Sequence, residues 1–510
     1  MKSEPAKYAI LFFGCVLFHI LGTWSLPLID RDEPRFAEAS REMIQRGNYI
    51  VPYFNNQLRL DKPPLTYWAQ VASYHLFGEN DFAARFPSAV AAAGTALLIF
   101  LWGRRVGGEK LAWCAAIIFT LSLQTFVHAK AAVADMWLVL FVTLAHWAGF
   151  ELIQRGTPNA QRPTSNSESS NQTSNIKHQT SIWWLTFYIS LALGFLAKGP
   201  IAWVPLLTVA STIFYAPNLH LARRFKFVRG ILLMLAIIAA WGIPALVWTN
   251  GEFLRIGIGR HVIRRSLGAM EGHGWNSLGG YVLLLPFYFV TVFVSFFPWS
   301  IKLPSLVKKL WNNRDNIDRY LFSGVAIIFI IFSLIKTKLP HYTLPAFGML
   351  ALLLARHWPD KTASCAQPPS PGTETRRSLF GQIAIATACV WGVIAIVVPP
   401  VVARFSPAYE LFQASRASLR PNMQFAAVEF QEPSLVWYFR SRVQGFLTPL
   451  NKRRAAEFMS APDPGFIVLP TRVAGEIFAN PPASWRFFTV SGFNIAKGKR
   501  VDLTLVLKAE

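Results

Sequence analysis

The sequence predicts an α-helical polytopic membrane protein of roughly 11–13 spans, followed by a small soluble domain of α/β or mixed type. Three observations carry that prediction. Of the 510 residues, 53% are hydrophobic and 15% are charged, whereas soluble domains carry about a quarter charged residues. Apolar runs near the ~20-residue length that crosses a bilayer recur up to residue 402. From residue 403 they give way to "FAAVEF", "SLVWYF", "GFIVLP", "WRFFTV" and "DLTLVL", short β-type runs separated by Pro, Gly, Asn and Asp.

The apolar runs lie near 8–28, 87–102, 111–127, 132–152, 182–197, 200–216, 229–249, 279–298, 320–335, 343–355 and 380–402. The first follows a basic tip, as a signal peptide would. It has no small-x-small cleavage site and continues into Trp24 and Pro27, so it reads as an uncleaved span. Joining the runs in order places the loops alternately on two sides. One side receives Arg104-Arg105, Arg223-Arg224-Lys226, Lys308-Lys309 and Arg376-Arg377, which marks it as cytoplasmic. The polar stretch at 154–181 falls there as a flexible loop. The opposite side receives 29–86, 250–278, 336–342 and everything from 403 to 510. The net charge of +23 is scattered over these loops, so anionic lipid explains it and nucleic acid does not. Cys15, Cys114 and Cys389 lie in apolar runs, Cys365 lies in a polar loop, and no CxxC occurs. Neither a disulfide framework nor a cysteine zinc site is indicated.

The most charged junction follows the first span. Asp30, Asp32 and Glu33 open "RDEPRFAEASREMIQRG", which has the period of an amphipathic helix lying in the interface with its charged face to water. Asp32 reads in two ways. It is the helix N-cap, or it belongs to an acidic knot whose crowding raises a carboxylate pKa or recruits a cation. Lys62 follows in Asp61-Lys62-Pro63-Pro64, where the prolines restrict the backbone. It too has two readings, a lysine snorkelling above Trp68 or a cation aimed at a ligand. Asp135 starts an apolar run, where a carboxylate is costly unless paired. Lys198, His261, Arg264, Arg265, Lys336, Lys338 and His341 lie in other loops of the same side. Carboxylates, cations and imidazoles on one face point to a site for anionic ligands.

The motifs "RDEPRFAEASREMIQRGNYIVP", "DKPPLTYWA", "ADMWLVLF", "FLAKGPIA", "GEFLRIGIGRHVIRR" and "TKLPHYTLPA" resemble, in order and over nearly the whole chain, the aminoarabinose transferases of lipid A. Those enzymes stand with the protein O-mannosyltransferases in the membrane GT-C class. The resemblance implies a multi-pass protein of the bacterial inner membrane with a periplasmic active site. Residues 1–402 would form the transferase domain and 403–510 a periplasmic domain. The activity implied is inverting transfer of a sugar from a polyprenyl phosphate to lipid A or a related envelope acceptor. On this chain Asp32, Glu33 and Asp135 match the catalytic group. Lys62, Arg264, Lys198 and His341 match the donor phosphate-binding group. Asp61 and His261 match a site for a divalent metal ion, with Asp61 standing where close relatives tend to have glutamate. Transfer to protein hydroxyls is a second reading. A lipid-linked sugar flippase is a third, although no internal repeat supports it.

Overall fold

The computed structural model describes residues 4–154, 169–257, 259, 277–312, 314–358 and 379–508. Its first part is α1 (Glu4–Ile20), α2 (Asp32–Arg46), the two-residue strands β1 (Tyr53–Phe54) and β2 (Gln57–Leu58), α3 (Leu65–Phe77), α4 (Asp81–Leu121), α5 (Leu123–His128), α6 (Asp135–Gln154) and α7 (Ser169–Lys198). Further helices include Phe227–Trp248, Asn316–Leu334, Phe347–Arg356 and Leu379–Phe405. Every apolar run read from the sequence contains helix, but not every run is one long helix, and the first, read as 8–28, leaves the helix after Ile20. Among the described residues six helices are long and apolar enough to cross a membrane. The runs at 200–216, 279–298 and 343–355 are split between short helices and 3-10 turns. Two runs are joined in α4, which breaks at Gly107-Gly108, where Gly108 has φ +83. A Cβ on Gly103 would stand 2.8 Å from the Ala112 Cα, so only glycine lets the two limbs of α4 approach so closely. Buried alanines such as Ala92, Ala96, Ala115 and Ala116 continue that packing.

The loop expected at 154–181 is partly helical, because α7 already begins at Ser169. Residues 155–168 lie outside the described residues.

The C-terminal part is a five-stranded mixed sheet of β3 (Gln424–Val428), β4 (Leu447–Leu450), β5 (Gly465–Pro470), β6 (Arg486–Asn494) and β7 (Lys499–Lys508). Its order is β4-β3-β5-β7-β6. The first three strands are parallel and β7 runs antiparallel to β5 and β6. The run SLVWYF, expected to be β-type, is instead a helix, Pro433–Phe439, which starts at a proline and joins this sheet to α2.

That docking overturns the expectation that α2 turns its charges to water. Glu38, Arg41 and Glu42 are buried. Arg41 donates to Glu38 (2.7 Å), to Glu79 (2.9 Å) and to the Trp437 carbonyl (2.9 Å), while Arg440 pairs with Glu38 and Glu42. The charged face of α2 is a socket for the C-terminal domain, tolerable in the interior because every charge has a partner. Asn55 adds a second tie. With Asn56 it occupies the tight turn between β1 and β2 at positive φ, and its amide exchanges two hydrogen bonds with the Leu447 backbone (2.8 and 2.9 Å). The loop after α1 is thereby clamped between membrane helices and sheet.

Candidate active site

The acidic knot does not act as a unit. Its three carboxylates leave the same short segment in three directions. Asp30 accepts from the Ser434 N–H (2.9 Å) and hydroxyl. Its carboxyl is pushed up to about 6, and burial is the main cause, with Glu432 adding only a smaller push in the same direction. Glu33 turns inward. It accepts from Arg85 Nε (2.9 Å) and Nη2 (2.6 Å), from Ala132 N–H (2.7 Å) and from Ile29 N–H (2.8 Å). Arg85 also donates to the carbonyls of Leu26 and Pro27. Glu33 therefore pins the start of α2 to α4 and to the segment before Asp135. Its carboxylate is taken up by this clamp and lines none of the three spaces of the site. Arg85→Met would leave a buried carboxylate without its partner, which costs about 3–5 kcal/mol. The expected result is early loss of folded protein in a thermal ramp of detergent-solubilised material. An unchanged melting curve would remove the clamp.

Of the three, only Asp32 faces the central polar cavity. It is the first residue of α2, the cap position belongs to Arg31, and no side chain caps the helix. The capping reading of Asp32 is thus replaced by one in which its carboxylate lines a polar cavity of about 480 Å³. That cavity gathers Asp61 and Lys62 from the loop before α3, His128 from the end of α5, and Asp135 from the start of α6. Lys198 from the end of α7 and His341 from the 3-10 turn Pro340–Ala346 complete it. Lys198 Nζ lies 2.5 Å from Asp135 Oδ1, and His341 Nε2 lies 3.7 Å from the same oxygen. Asp61 lies 3.3 Å from Arg59 Nε. Arg59 also donates to the Tyr67 hydroxyl (2.8 Å), and burial pushes that phenol up. His261 and Arg264 lie outside the described residues, so the expected pairing of Asp61 with His261 is not placed.

Two apolar grooves meet this cavity. One, of about 470 Å³, runs between Leu138, Trp203, Leu207, Ile331 and Phe332. The other, of about 190 Å³, runs between Phe195, Trp241, Leu246 and Phe253. Lys62 and Lys198 line all three spaces. Two ammonium groups thus stand where greasy channels open into a polar chamber, the arrangement that suits an anionic headgroup on an apolar tail.

Other basic residues of the same loops are used structurally. Lys338 donates to the carbonyls of Phe332 (3.0 Å) and Ser333 (2.5 Å), closing the end of helix Asn316–Leu334, and burial pushes it down to about 8. Lys130 closes α1 on the carbonyls of Phe18, His19 and Leu21. The cavity also contains Arg35, Arg59 and His128, which the sequence reading did not single out. Arg35 was within reach of pattern: it stands one helical turn after Asp32 and so shares its face. Arg59 and His128 carried no comparable local signal.

Residues 61–160 match the family model described as dolichyl-phosphate-mannose-protein mannosyltransferase. The undecaprenyl phosphate-α-4-amino-4-deoxy-L-arabinose arabinosyl transferase of Aeromonas salmonicida is 30% identical over 398 residues, which are 75% of this chain and 65% of that protein. An uncharacterised protein of Aquifex aeolicus is 30% identical over 69% of this chain and 73% of its own length. The crystal structure of ArnT from Cupriavidus metallidurans bound to undecaprenyl phosphate superposes with a TM-score of 0.76 over 98% of both chains, at 17% identity. That last likeness speaks for the fold. The chain aligns with 58%, 65% and 59% of the length of three of the curated relatives it matches. Taken with the helical membrane body and its C-terminal sheet, these likenesses make the chain similar, in fold and over much of its sequence, to the ArnT-like, membrane-embedded GT-C glycosyltransferases.

Proposed function

We propose that this protein transfers a sugar, an aminoarabinose-like pentose or a hexose, from undecaprenyl phosphate or a similar polyprenyl phosphate to lipid A or a related envelope acceptor. The reaction would invert the anomeric centre and take place on the periplasmic face of the bacterial inner membrane. The observation that carries this reading is the meeting of two apolar grooves with the polar cavity at Lys62 and Lys198. A polyprenyl tail suits a groove, its phosphate suits the two ammonium groups, and the sugar projects into the chamber holding Asp32. The names of the curated arabinosyl transferases and the lipid in the ArnT crystal structure support the same donor.

Lys62 and Lys198, with His341 in the same chamber, would balance the charge that builds on the departing phosphate, a role that the family resemblance also assigns to Arg264. Asp135 holds Lys198 toward the chamber. The surrounding helices and α2 exclude water, which would otherwise capture the sugar. Asp32 faces the acceptor. It takes the proton of a hydroxyl acceptor, or orients a phosphate acceptor and steadies positive charge at the sugar. For the metal suggested at Asp61 and His261, Asp61 lines the chamber but stands beside Arg59, so no step is assigned to that pair.

The family description over residues 61–160 favours a second reading, transfer to protein hydroxyls. Mass spectrometry of lipid A, lipid-linked sugars and envelope proteins, from cells with and without this protein, separates the two. Loss of a sugar from lipid A with build-up of its polyprenyl carrier is the expected result. A sugar missing from proteins alone would move the acceptor to protein. Unchanged glycans with a lipid-linked sugar held on the cytoplasmic leaflet would replace transfer by flipping.

A further inference from the structure

Three side chains of the chamber wall meet more closely than donor binding requires. His128, Asp135 and His341 come from three different elements, and one ligand-type atom of each lies within 4.8 Å of the other two. The imidazole rings of His128 and His341 are 4.9 Å apart between centroids, inclined by 38°. Atoms bound to a tetrahedral zinc, at about 2.0–2.2 Å from the ion, stand roughly 3.3–3.6 Å from one another. The 3.7 Å between His341 Nε2 and Asp135 Oδ1 is already near that spacing, and small side-chain rotations close the remainder.

The geometry points to a divalent-metal site formed by His128, Asp135 and His341, in which Lys198 is a built-in competitor for the carboxylate. Two imidazoles and one carboxylate suit zinc-class ions better than magnesium or calcium, which prefer all-oxygen shells. All three groups line the 480 Å³ cavity, so an ion has a way in and a fourth position faces the chamber. His128 has the outer partner that metal-bound imidazoles use for orientation: its Nδ1 lies 2.9 Å from the Gln124 side-chain amide, one turn earlier. Metal binding through Nε2 requires Nδ1 to carry the proton, with the Gln124 amide turned so that its oxygen accepts it. Lys198 Nζ sits 2.5 Å from Asp135 Oδ1. An ion must displace that ammonium or share the carboxylate with it, so occupancy here is set against the Asp135–Lys198 pair. Asp61, one of the pair suggested by sequence, is not among its ligands, and the inference does not depend on which sugar or acceptor is used.

The test uses full-length protein in nanodiscs, stripped with a chelator and titrated with Co²⁺. One ion per chain should bind, with the visible absorption of a four-coordinate, imidazole-ligated cobalt. His128→Ala and His341→Ala should each weaken binding at least about tenfold. Gln124→Leu, which leaves the ligands in place, should weaken it by about 10–100-fold. Lys198→Met removes the competitor and should tighten binding several-fold. Asp61→Asn and His261→Ala should leave it unchanged. Melting curves without metal identify any variant that has failed to fold, and the Gln124 and Lys198 variants keep the test decisive in that event. Binding lost on changing Asp61 or His261 but kept in His128→Ala overturns the site, as does the absence of stoichiometric uptake. Equal affinity in Lys198→Met overturns the competition.

Discussion

Asp32→Asn is expected to lower sugar transfer by at least about a hundredfold while leaving the protein folded and in the membrane. The two side chains have nearly the same shape, and Asp32 makes no capping contact that the amide would lose. A negative charge near a helix N-terminus contributes about 0.3–1 kcal/mol, a small part of the stability of a body this size. The expected loss is therefore one of chemistry. General acid–base groups supply about 10²–10⁴-fold, and a carboxylate that steadies charge at the sugar falls within the same range. The measurement is lipid A composition in cells producing the variant, normalised to its amount in the membrane fraction. Near-normal modification would show that the carboxylate charge is not used. Glu33→Gln provides the contrast: it should reduce the amount of folded protein, because it weakens the pairing with Arg85, and transfer per folded molecule should fall much less.

Lys62→Met should raise the donor concentration needed for half-maximal transfer and lower turnover as well. Methionine keeps most of the apolar stem and removes the charge at the junction of chamber and grooves. Charge-assisted hydrogen bonds contribute about 1.5–3 kcal/mol each, so the loss is roughly ten- to a hundredfold. It extends to turnover because the phosphate gains charge as it departs. Pro63 and Pro64 lead directly into α3 and stiffen the segment from which Lys62 projects, so less entropy is lost on aiming the ammonium. Lys62→Arg should restore only part of the activity, since a planar fork places its charge differently. Transfer rate against donor concentration in nanodiscs, beside a melting control, decides the matter. An unchanged donor dependence in Lys62→Met would falsify the phosphate contact and return Lys62 to a surface role.

The membrane body was legible in the sequence because a span is a local property: about twenty apolar residues satisfy the bilayer whatever surrounds them. Four of the five β-type runs after residue 403 were legible for a similar reason, since alternation and turn residues act over a few positions, whereas SLVWYF is helical. Lys62, Asp135, Lys198 and His341 could be collected from separate loops because a charge beside an apolar run needs a partner or a ligand. What those partners are is a matter of distance in space, and only the tertiary structure decided it. Asp30, Asp32 and Glu33 are neighbours in sequence, yet one holds the C-terminal domain, one faces the chamber and one is locked to Arg85. The charged face of α2, polar by pattern, is buried because Arg440 and the Trp437 carbonyl reach it from some 400 residues away. His128 gained significance only when folding brought it beside His341, more than 200 positions later. Periodicity records which face of an element is apolar. It does not record what covers the other face, because that depends on long-range contacts whose energies no local window contains.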